Sequence, residues 1–175
     1  MTVLFIDESK AKGYTIVAAA IVPADITAMR REVAKLRKPG QRRVHFVHES
    51  DSRRREILST LERLGVQARL YHAAGMKDPA AREACLAAVV RDAAAADVTR
   101  LVLELDDSIQ KFDRQILFRE IGRVDGSPPI AYAHETAAAE PLLWIPDAIA
   151  WGHARGGEWK ARIAPLVAGI EHIGR

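Results

Sequence analysis

Four acidic residues lie on or beside apolar segments that should be central to the fold. Asp7 follows the apolar run VLFI, Glu104 and Asp106 lie in LVLELDD, and Asp147 lies in LLWIPDAIAW. Mg²⁺ and Mn²⁺ prefer oxygen ligands, and two such ions about 4 Å apart can stabilise the attacking and leaving oxygens of a phosphodiester displacement. Converging carboxylates repel one another unless cations compensate them, so acids at these positions indicate a metal site.

The position of an acid on its predicted strand or helix helps to distinguish a metal ligand from a structural acid, but it does not decide every case. On an extended strand Glu104 and Asp106 point to the same side, so either can be a ligand, and at least one acid of ELDD is expected to cap the following helix. Asp147, on a helix, shares a face with Trp144 and Trp151, and fits a ligand and a structural acid equally well. For Asp7, a functional role is favoured over that of an ordinary acid at a strand end, because the run before it is so apolar.

Histidines give a second, weaker signal. His45 and His48 lie in RVHFVHES together with Glu49, and His134 precedes Glu135. Neutral imidazole titrates near neutral pH, so a histidine beside a carboxylate can carry protons in a hydrolysis, although most lone histidines only pack or hydrogen-bond. Their spacing matches no zinc motif.

The elements that have to position these side chains predict an α/β fold. TVLFID and GYTIVAAAIV read as strands joined at Gly13, which predicts an antiparallel hairpin. The periodicity then predicts a helix in ITAMRREVAKLRK, a strand in RVHFV, a helix in ESDSRRREILSTLERLG, a strand in VQARLYHA, a helix in DPAAREACLAAVVRDAAAA and a strand in TRLVLEL. This alternation favours parallel neighbours in at least part of the sheet.

The last third of the chain continues the alternation of helices and strands. SIQKFDRQILFREIG predicts a helix, PIAYAHE a strand, and PLLWIPDAIAWGHA a helix that Pro146 either begins or kinks. The segment GIEHIG fits a short edge strand or a fraying end.

Composition limits the classes of protein that the chain can represent. Its 175 residues, 49% hydrophobic and 28% charged, predict one globular domain over residues 1–175. No apolar run approaches the roughly eighteen residues that span a bilayer, and no secretory signal begins the chain, so we expect a cytoplasmic protein without a membrane segment. Cys85 is the only cysteine, which excludes an internal disulfide and predicts a packed core residue. The net charge of +3 and the clustered arginines permit phosphate binding.

Four segments, in order along the chain, resemble the motifs of one family. LFIDES is similar to an opening YIDESG, with Lys10 in place of the glycine, and VHFVHES is similar to a His-Phe segment ending in an acid through His45, Phe46 and Glu49. LVLELDD matches a later strand that carries an acid, and LWIPDAIAWG a final helix of the pattern Leu-Gln-X-X-Asp-X-X-Ala/Gly through Asp147. The chain therefore resembles family 3800 of the domains of unknown function (DUF3800), a group within the ribonuclease H-like superfamily.

The resemblance implies a ribonuclease H-like mixed sheet, with an antiparallel first hairpin and parallel later strands, flanked by helices. It implies that Asp7 and Asp147 are the carboxylates of the first strand and the late helix. Glu49 and one of Glu104 or Asp106 would complete the set, with His45 beside them. The implied cofactor is Mg²⁺ or Mn²⁺. The implied reaction is hydrolysis of RNA or DNA by water activated between two cations, and basic helix faces would hold the nucleic-acid backbone.

Two departures from the family pattern keep a second hypothesis open. Trp144 stands where the family has glutamine, and Pro146 is unusual inside that helix. Both favour a catalytically silent ribonuclease H-like module that acts through a protein or nucleic-acid partner, so whether the chain is an enzyme stays open. Trp151 and Trp159 fit a dimer interface as well as a core, so the oligomeric state stays open too.

Overall fold

The computed structural model describes residues 1–124 and 129–174. Within these residues, six strands form one sheet in the order β5-β4-β1-β2-β3-β6. The strands are β1 (Thr2–Ser9), β2 (Tyr14–Ile21), β3 (Gln67–Ala73), β4 (Val98–Glu104), β5 (Ala131–Glu135) and β6 (Val167–Ile173). The helices are α1 (Ile26–Ala34), α2 (Asp51–Arg63), α3 (Asp78–Ala95), α4 (Gln110–Ile121), α5 (Trp144–Arg155) and α6 (Gly157–Ile163).

The sheet is mixed, as the sequence predicts. β1, β2 and β3 form an antiparallel meander, whereas β4 pairs parallel with β1, β5 with β4, and β6 with β3. The turn between β1 and β2 places Lys12 at φ 53° and Gly13 at φ 97°, a pair of left-handed residues that suits a tight hairpin. The segment GIEHIG, for which a strand and a fraying end were both open, lies in edge strand β6.

The strand predicted in RVHFV is wrong. Phe46–His48 forms a single 3₁₀ turn, and the backbone groups of Phe46 are occupied by side chains: its N–H donates to Asp147 and its carbonyl accepts from Arg54. Val44 and Phe46 are buried in the core, so their alternation reflects the burial of a loop rather than the pleat of a sheet. Because this strand is missing, the strand after α2 pairs antiparallel with β2.

The two faces of β1 belong to two separate cores. Val3 and Phe5 pack with α1, α2, α5 and α6, whereas Leu4 and Ile6 pack with α3 and α4, where Cys85 is also buried. Side chains alternate between the two faces along a strand, and this alternation continues beyond the apolar run. The next two acids therefore face opposite layers of the fold.

Helix α5 begins, rather than kinks, around its proline. The helix starts at Trp144, directly after the 3₁₀ turn Pro141–Leu143, so Pro146 is its third residue. A backbone N–H at that position would have no partner within the helix, so its absence costs little. The indole of Trp144 donates to the carbonyl of Ala137 at 2.7 Å, which satisfies this buried polar group. Both unusual residues thus fit a regular helix start.

None of the helices in the described part of the chain is long and apolar enough to cross a lipid bilayer.

A buried ion network lies on the α3 and α4 side of the sheet. Arg82 donates to both carboxylate oxygens of Asp113, at 2.5 and 2.8 Å, and to the hydroxyl of Tyr14 at 2.8 Å. Its guanidinium also lies 3.2 Å from Glu8, and His134 lies 3.0 Å from Asp113. Burial alone would raise the pKa of Asp113, but the hydrogen bonds from Arg82 and His134 hold that pKa below its ordinary value. The network is therefore charge-compensated.

We expect Asp113→Asn to lower the free energy of unfolding by about 3–5 kcal/mol at neutral pH, because it removes the bidentate one of the two anionic partners of the buried Arg82 and leaves only Glu8. Urea denaturation measures the loss. Glu32→Gln is the control, since Glu32 and Lys35 form an exposed pair whose removal should change stability by less than about 1 kcal/mol.

The same comparison has an expected pH dependence. A carboxyl group with a lowered pKa stabilises the fold above its unfolded pKa, and this contribution is lost as the pH falls toward the folded pKa. The difference in stability between wild type and Asp113→Asn should therefore shrink below about pH 4. A difference that stays constant down to strongly acidic pH would show that the charge of Asp113 is not what stabilises the fold.

Candidate active site

Three carboxylates converge at one edge of the sheet. Asp7 lies near the end of β1, Glu104 is the last residue of β4, and Asp147 lies in the first turn of α5. β1 and β4 are parallel neighbours, so both ends meet at the same edge, and the charge of Glu104 acts on Asp7 there. Asp7 lies two residues after Phe5, and Glu104 lies two residues after Val102. Both acids therefore lie on the same sheet face as these core residues, which is the face that α5 covers. Three elements distant in sequence thus deliver their acids to one place.

The negative charge of this group is only partly compensated. Burial, the charges of Glu104 and Asp147, and then that of Glu8 raise the pKa of Asp7 well above its ordinary value. Burial also raises the pKa of Asp147, although the backbone N–H of Phe46, 2.9 Å away, works in the opposite direction. The cluster therefore favours any cation that can enter it.

Backbone and helix groups fix the orientation of two of the three acids. The N–H of Glu8 donates to Asp7 Oδ1 at 2.8 Å, and the N–H of Phe46 donates to Asp147 Oδ2. The first turn of α5 also places Asp147 at the positive end of the helix dipole. His45 lies close enough to Asp147 to lower the pKa of that carboxyl group.

Arg43 supplies the positive charge in the present arrangement. Its guanidinium lies 2.6 Å from Glu104 and 4.0 Å from Asp147, so one cation faces two of the three acids. The sequence marked Arg43 only as part of an arginine cluster. Its position directly before VHFVHES, the segment that the family resemblance singled out, was the available signal.

The structure places two of the predicted site residues outside the group of three. Glu49 is buried against Gln41 at 3.0 Å and Arg53 at 3.5 Å, so its charge is neutralised locally. Asp106 is exposed beyond the end of β4, where it accepts hydrogen bonds from the N–H and hydroxyl of Ser108. Those hydrogen bonds lower the pKa of Asp106, as expected for a carboxylate that caps a turn.

The donor set suits a divalent cation in kind but not in its present arrangement. Carboxylate oxygens are the ligands that Mg²⁺ and Mn²⁺ prefer, and the group supplies three carboxylates. Within residues 1–124 and 129–174, however, no three His, Cys, Asp or Glu side chains are arranged so that they could hold a metal ion. The guanidinium of Arg43 stands against two of the acids that would form such a group.

Comparison with known proteins relates the chain to a fold rather than to a family. No protein-family model matches the chain, and no curated protein matches it. Among solved structures, it is similar to the RNase HII of the PCNA:RNase HII complex from Archaeoglobus fulgidus, with a TM-score of 0.58. Sequence identity is 12%, over 89% of this chain and 73% of that chain. The similarity and the mixed sheet show that the fold is ribonuclease H-like.

Two buried carboxylates, one compensated and one not, should respond oppositely to neutralisation. In the absence of divalent cations at neutral pH, we expect Asp7→Asn to stabilise the protein by about 1–2 kcal/mol, because the amide carries no charge to repel Glu104 and Asp147. Glu49→Gln should destabilise it by about 1–3 kcal/mol, because Arg53 loses a charged acceptor.

Denaturant unfolding of the wild type and both variants in EDTA measures the two changes. If Asp7→Asn destabilised the protein as much as Glu49→Gln, the carboxylate of Asp7 would be adequately compensated, contrary to the electrostatics described above.

Proposed function

We propose that the chain is a divalent-metal-dependent nuclease that hydrolyses nucleic-acid phosphodiesters at the site formed by Asp7, Glu104 and Asp147. The observation that carries this proposal is the convergence of one buried acid, Asp7, and two partly buried acids, Glu104 and Asp147, on one edge of a ribonuclease H-like sheet. Acids that repel one another in a buried place destabilise the fold, so their presence is best explained by a cation that they bind during function. Membership of family 3800, which the sequence motifs indicate, is part of the proposal.

Each residue has a distinct role in this proposal. Asp7, Glu104 and Asp147 would hold Mg²⁺ or Mn²⁺, and the bound ions would supply an activated water and stabilise charge on the reacting oxygens. The backbone N–H groups of Glu8 and Phe46 keep two of these acids oriented. His45, beside Asp147, is placed to take up or deliver a proton at the edge of the site.

A groove next to the carboxylates suits a nucleic-acid strand. It encloses about 270 Å³ and is lined by Ser9 and Lys12 of the first hairpin and by Trp151 and Arg155 of α5. The guanidinium of Arg54 stacks on the Trp151 ring at 4.1 Å. Trp151 is partly buried, and cationic side chains beside an accessible part of an aromatic ring bind phosphates and stack bases with little dependence on sequence. Ser9 in its lining is two residues beyond Asp7 in the chain, and Trp151 is four residues beyond Asp147, so we propose that a strand bound in the groove extends toward the acids.

The name of the structural neighbour makes RNA the first substrate to test. That protein is an RNase HII in a complex with PCNA. We propose that this chain acts on RNA, alone or paired with DNA, and DNA duplexes serve as the comparison substrate. The single-domain organisation over residues 1–175 and the cytoplasmic location remain predictions from the sequence, and the oligomeric state stays open.

One observation favours the alternative, a silent ribonuclease H-like module that acts through a partner. The ion pair between Arg43 and Glu104, at 2.6 Å, already neutralises one of the acids. If that pair is permanent, the acids are structural and the surface around Trp151 serves for binding alone. Metal binding and turnover separate the two functions.

The first experiment combines Mn²⁺ and Mg²⁺ calorimetry with cleavage of labelled single-stranded RNA, RNA–DNA hybrid and duplex DNA. We expect cleavage that requires the metal and falls at least about 100-fold in Asp7→Asn, Glu104→Gln and Asp147→Asn, because each variant removes an oxygen ligand charge. Asp106→Asn is the matched control: it changes an acid two residues from Glu104 that lies in an exposed turn, and should keep full activity.

Two results would contradict the nuclease proposal. The first is an absence of metal binding and of cleavage at millimolar metal in the wild type and in every variant. The second is cleavage that persists in Asp7→Asn, which would point to a contaminating nuclease. Binding of RNA without turnover would favour the silent module.

A further inference from the structure

We propose that Arg43 is an internal counter-ion of the carboxylate site, which its guanidinium closes until a divalent cation displaces it. This inference rests on the proposed function, because it concerns the same three acids. It assigns to Arg43 a role as competitor of the metal, distinct from that of a ligand or of a structural ion pair.

The geometry gives Arg43 the place that a cation would occupy. Its guanidinium lies 2.6 Å from Glu104 and 4.0 Å from Asp147, so it faces two of the three acids. A guanidinium and a divalent cation cannot both lie against the same Glu104 oxygen. Binding of a metal therefore requires that Arg43 withdraws, which explains why acids of the right kind lack a metal-binding arrangement.

The backbone around Arg43 is fixed, so the withdrawal is a side-chain movement. The neighbouring Val44 and Phe46 are buried, and Arg54 donates to the carbonyls of Phe46 at 3.0 Å and Val47 at 2.7 Å. Arg53 donates to the carbonyl of Leu36 on the other side of the segment. Side-chain rotamers change readily where backbone anchors do not.

The side chain of Arg43 has a route to solvent. It is 27% exposed, and the Glu104 and Asp147 side chains that it faces are 22% and 15% exposed. A guanidinium at such a half-buried place loses little when it swings into water, since an ion pair of this exposure contributes modestly to stability. The pair with Glu104 is therefore strong enough to fill the site and weak enough to yield to a divalent ion.

The predicted effect is a gain of metal affinity when the competitor is removed. The apparent dissociation constant equals the intrinsic constant divided by the fraction of molecules in which the site is open, so we expect Arg43→Ala to bind Mn²⁺ about tenfold or more tightly than wild type. Arg43→Lys should fall between the two, because an ammonium lacks the planar fork of guanidinium. Arg42→Ala is the matched control, an exposed neighbour of the same charge.

Isothermal calorimetry with Mn²⁺ tests this on the intact chain, without reference to nuclease activity. The variants are Arg43→Ala, Arg43→Lys, Arg42→Ala and the double variant Asp7→Asn/Arg43→Ala, each checked for folding by circular dichroism. Tighter binding in Arg43→Ala, wild-type binding in Arg42→Ala and loss of binding in the double variant support the inference. If Arg43→Ala fails to fold, Arg43→Lys alone carries the test, with tighter Mn²⁺ binding than wild type as the expected result.

The opposing outcomes fall into distinct classes. Equal or weaker binding in Arg43→Ala, while wild type binds Mn²⁺, overturns the counter-ion role and leaves the proposed function standing. Unchanged binding in the double variant also overturns it, because the ion then lies outside this site. If neither wild type nor Arg43→Ala binds Mn²⁺ at millimolar concentration, the proposed function fails and the counter-ion role fails with it.

Discussion

The repulsion among three carboxylates, one buried and two partly buried, is the constraint on which the rest of the structure depends. Asp7, Glu104 and Asp147 come from two strands and a helix, and each is held where its charge disfavours the others. Their convergence requires the parallel pairing of β1 with β4 and the packing of α5 across that edge. Backbone N–H groups, a helix terminus and one guanidinium offset part of the cost. The fold gives up stability here and recovers it in two well-packed cores.

The opposite face of the sheet shows what full compensation looks like. Arg82 and Asp113 form a bidentate pair with additional partners in Tyr14 and His134, and the pKa of Asp113 is lowered rather than raised. Both clusters lie near the same end of β1, separated by one layer of backbone. The cluster of Arg82 and Asp113 is charge-compensated, whereas the negative charge of Asp7, Glu104 and Asp147 is only partly compensated. This contrast distinguishes acids that serve the fold from acids that serve chemistry.

Much of this arrangement could be predicted from the sequence, because it follows from burial patterns. The apolar run before Asp7, the hairpin at Gly13 and the helix carrying Asp147 were all predictable, and the mixed sheet is confirmed. The loop around Phe46 was not, since two alternating buried residues look the same in a loop as in a strand. That loop nevertheless positions the N–H that orients Asp147.

The remaining details depend on contacts that no local pattern encodes. Whether Glu104 or Asp106 faces the site depends on where β4 ends, which is fixed by its pairing with β5 as far as Glu135. The role of Arg43 depends on a partner 61 residues away. The pairing of Glu49 with Arg53 is different: it joins residues four apart at a helix start, and the sequence alone allowed it.

The adjacent acids at the end of β1 carry one more consequence, which concerns strand register. Asp7 faces two carboxylates and Glu8 faces the buried guanidinium of Arg82, on opposite sides of the sheet. A slip of β1 by one residue would exchange their faces and turn the neighbouring apolar side chains toward the wrong cores. It would also place Asp7 or Ser9, whose side chains are shorter, opposite Arg82 instead of Glu8. The ion pair between Glu8 and Arg82 therefore favours one register of the central strand. In that register, Asp7 lies beside Glu104 and Asp147.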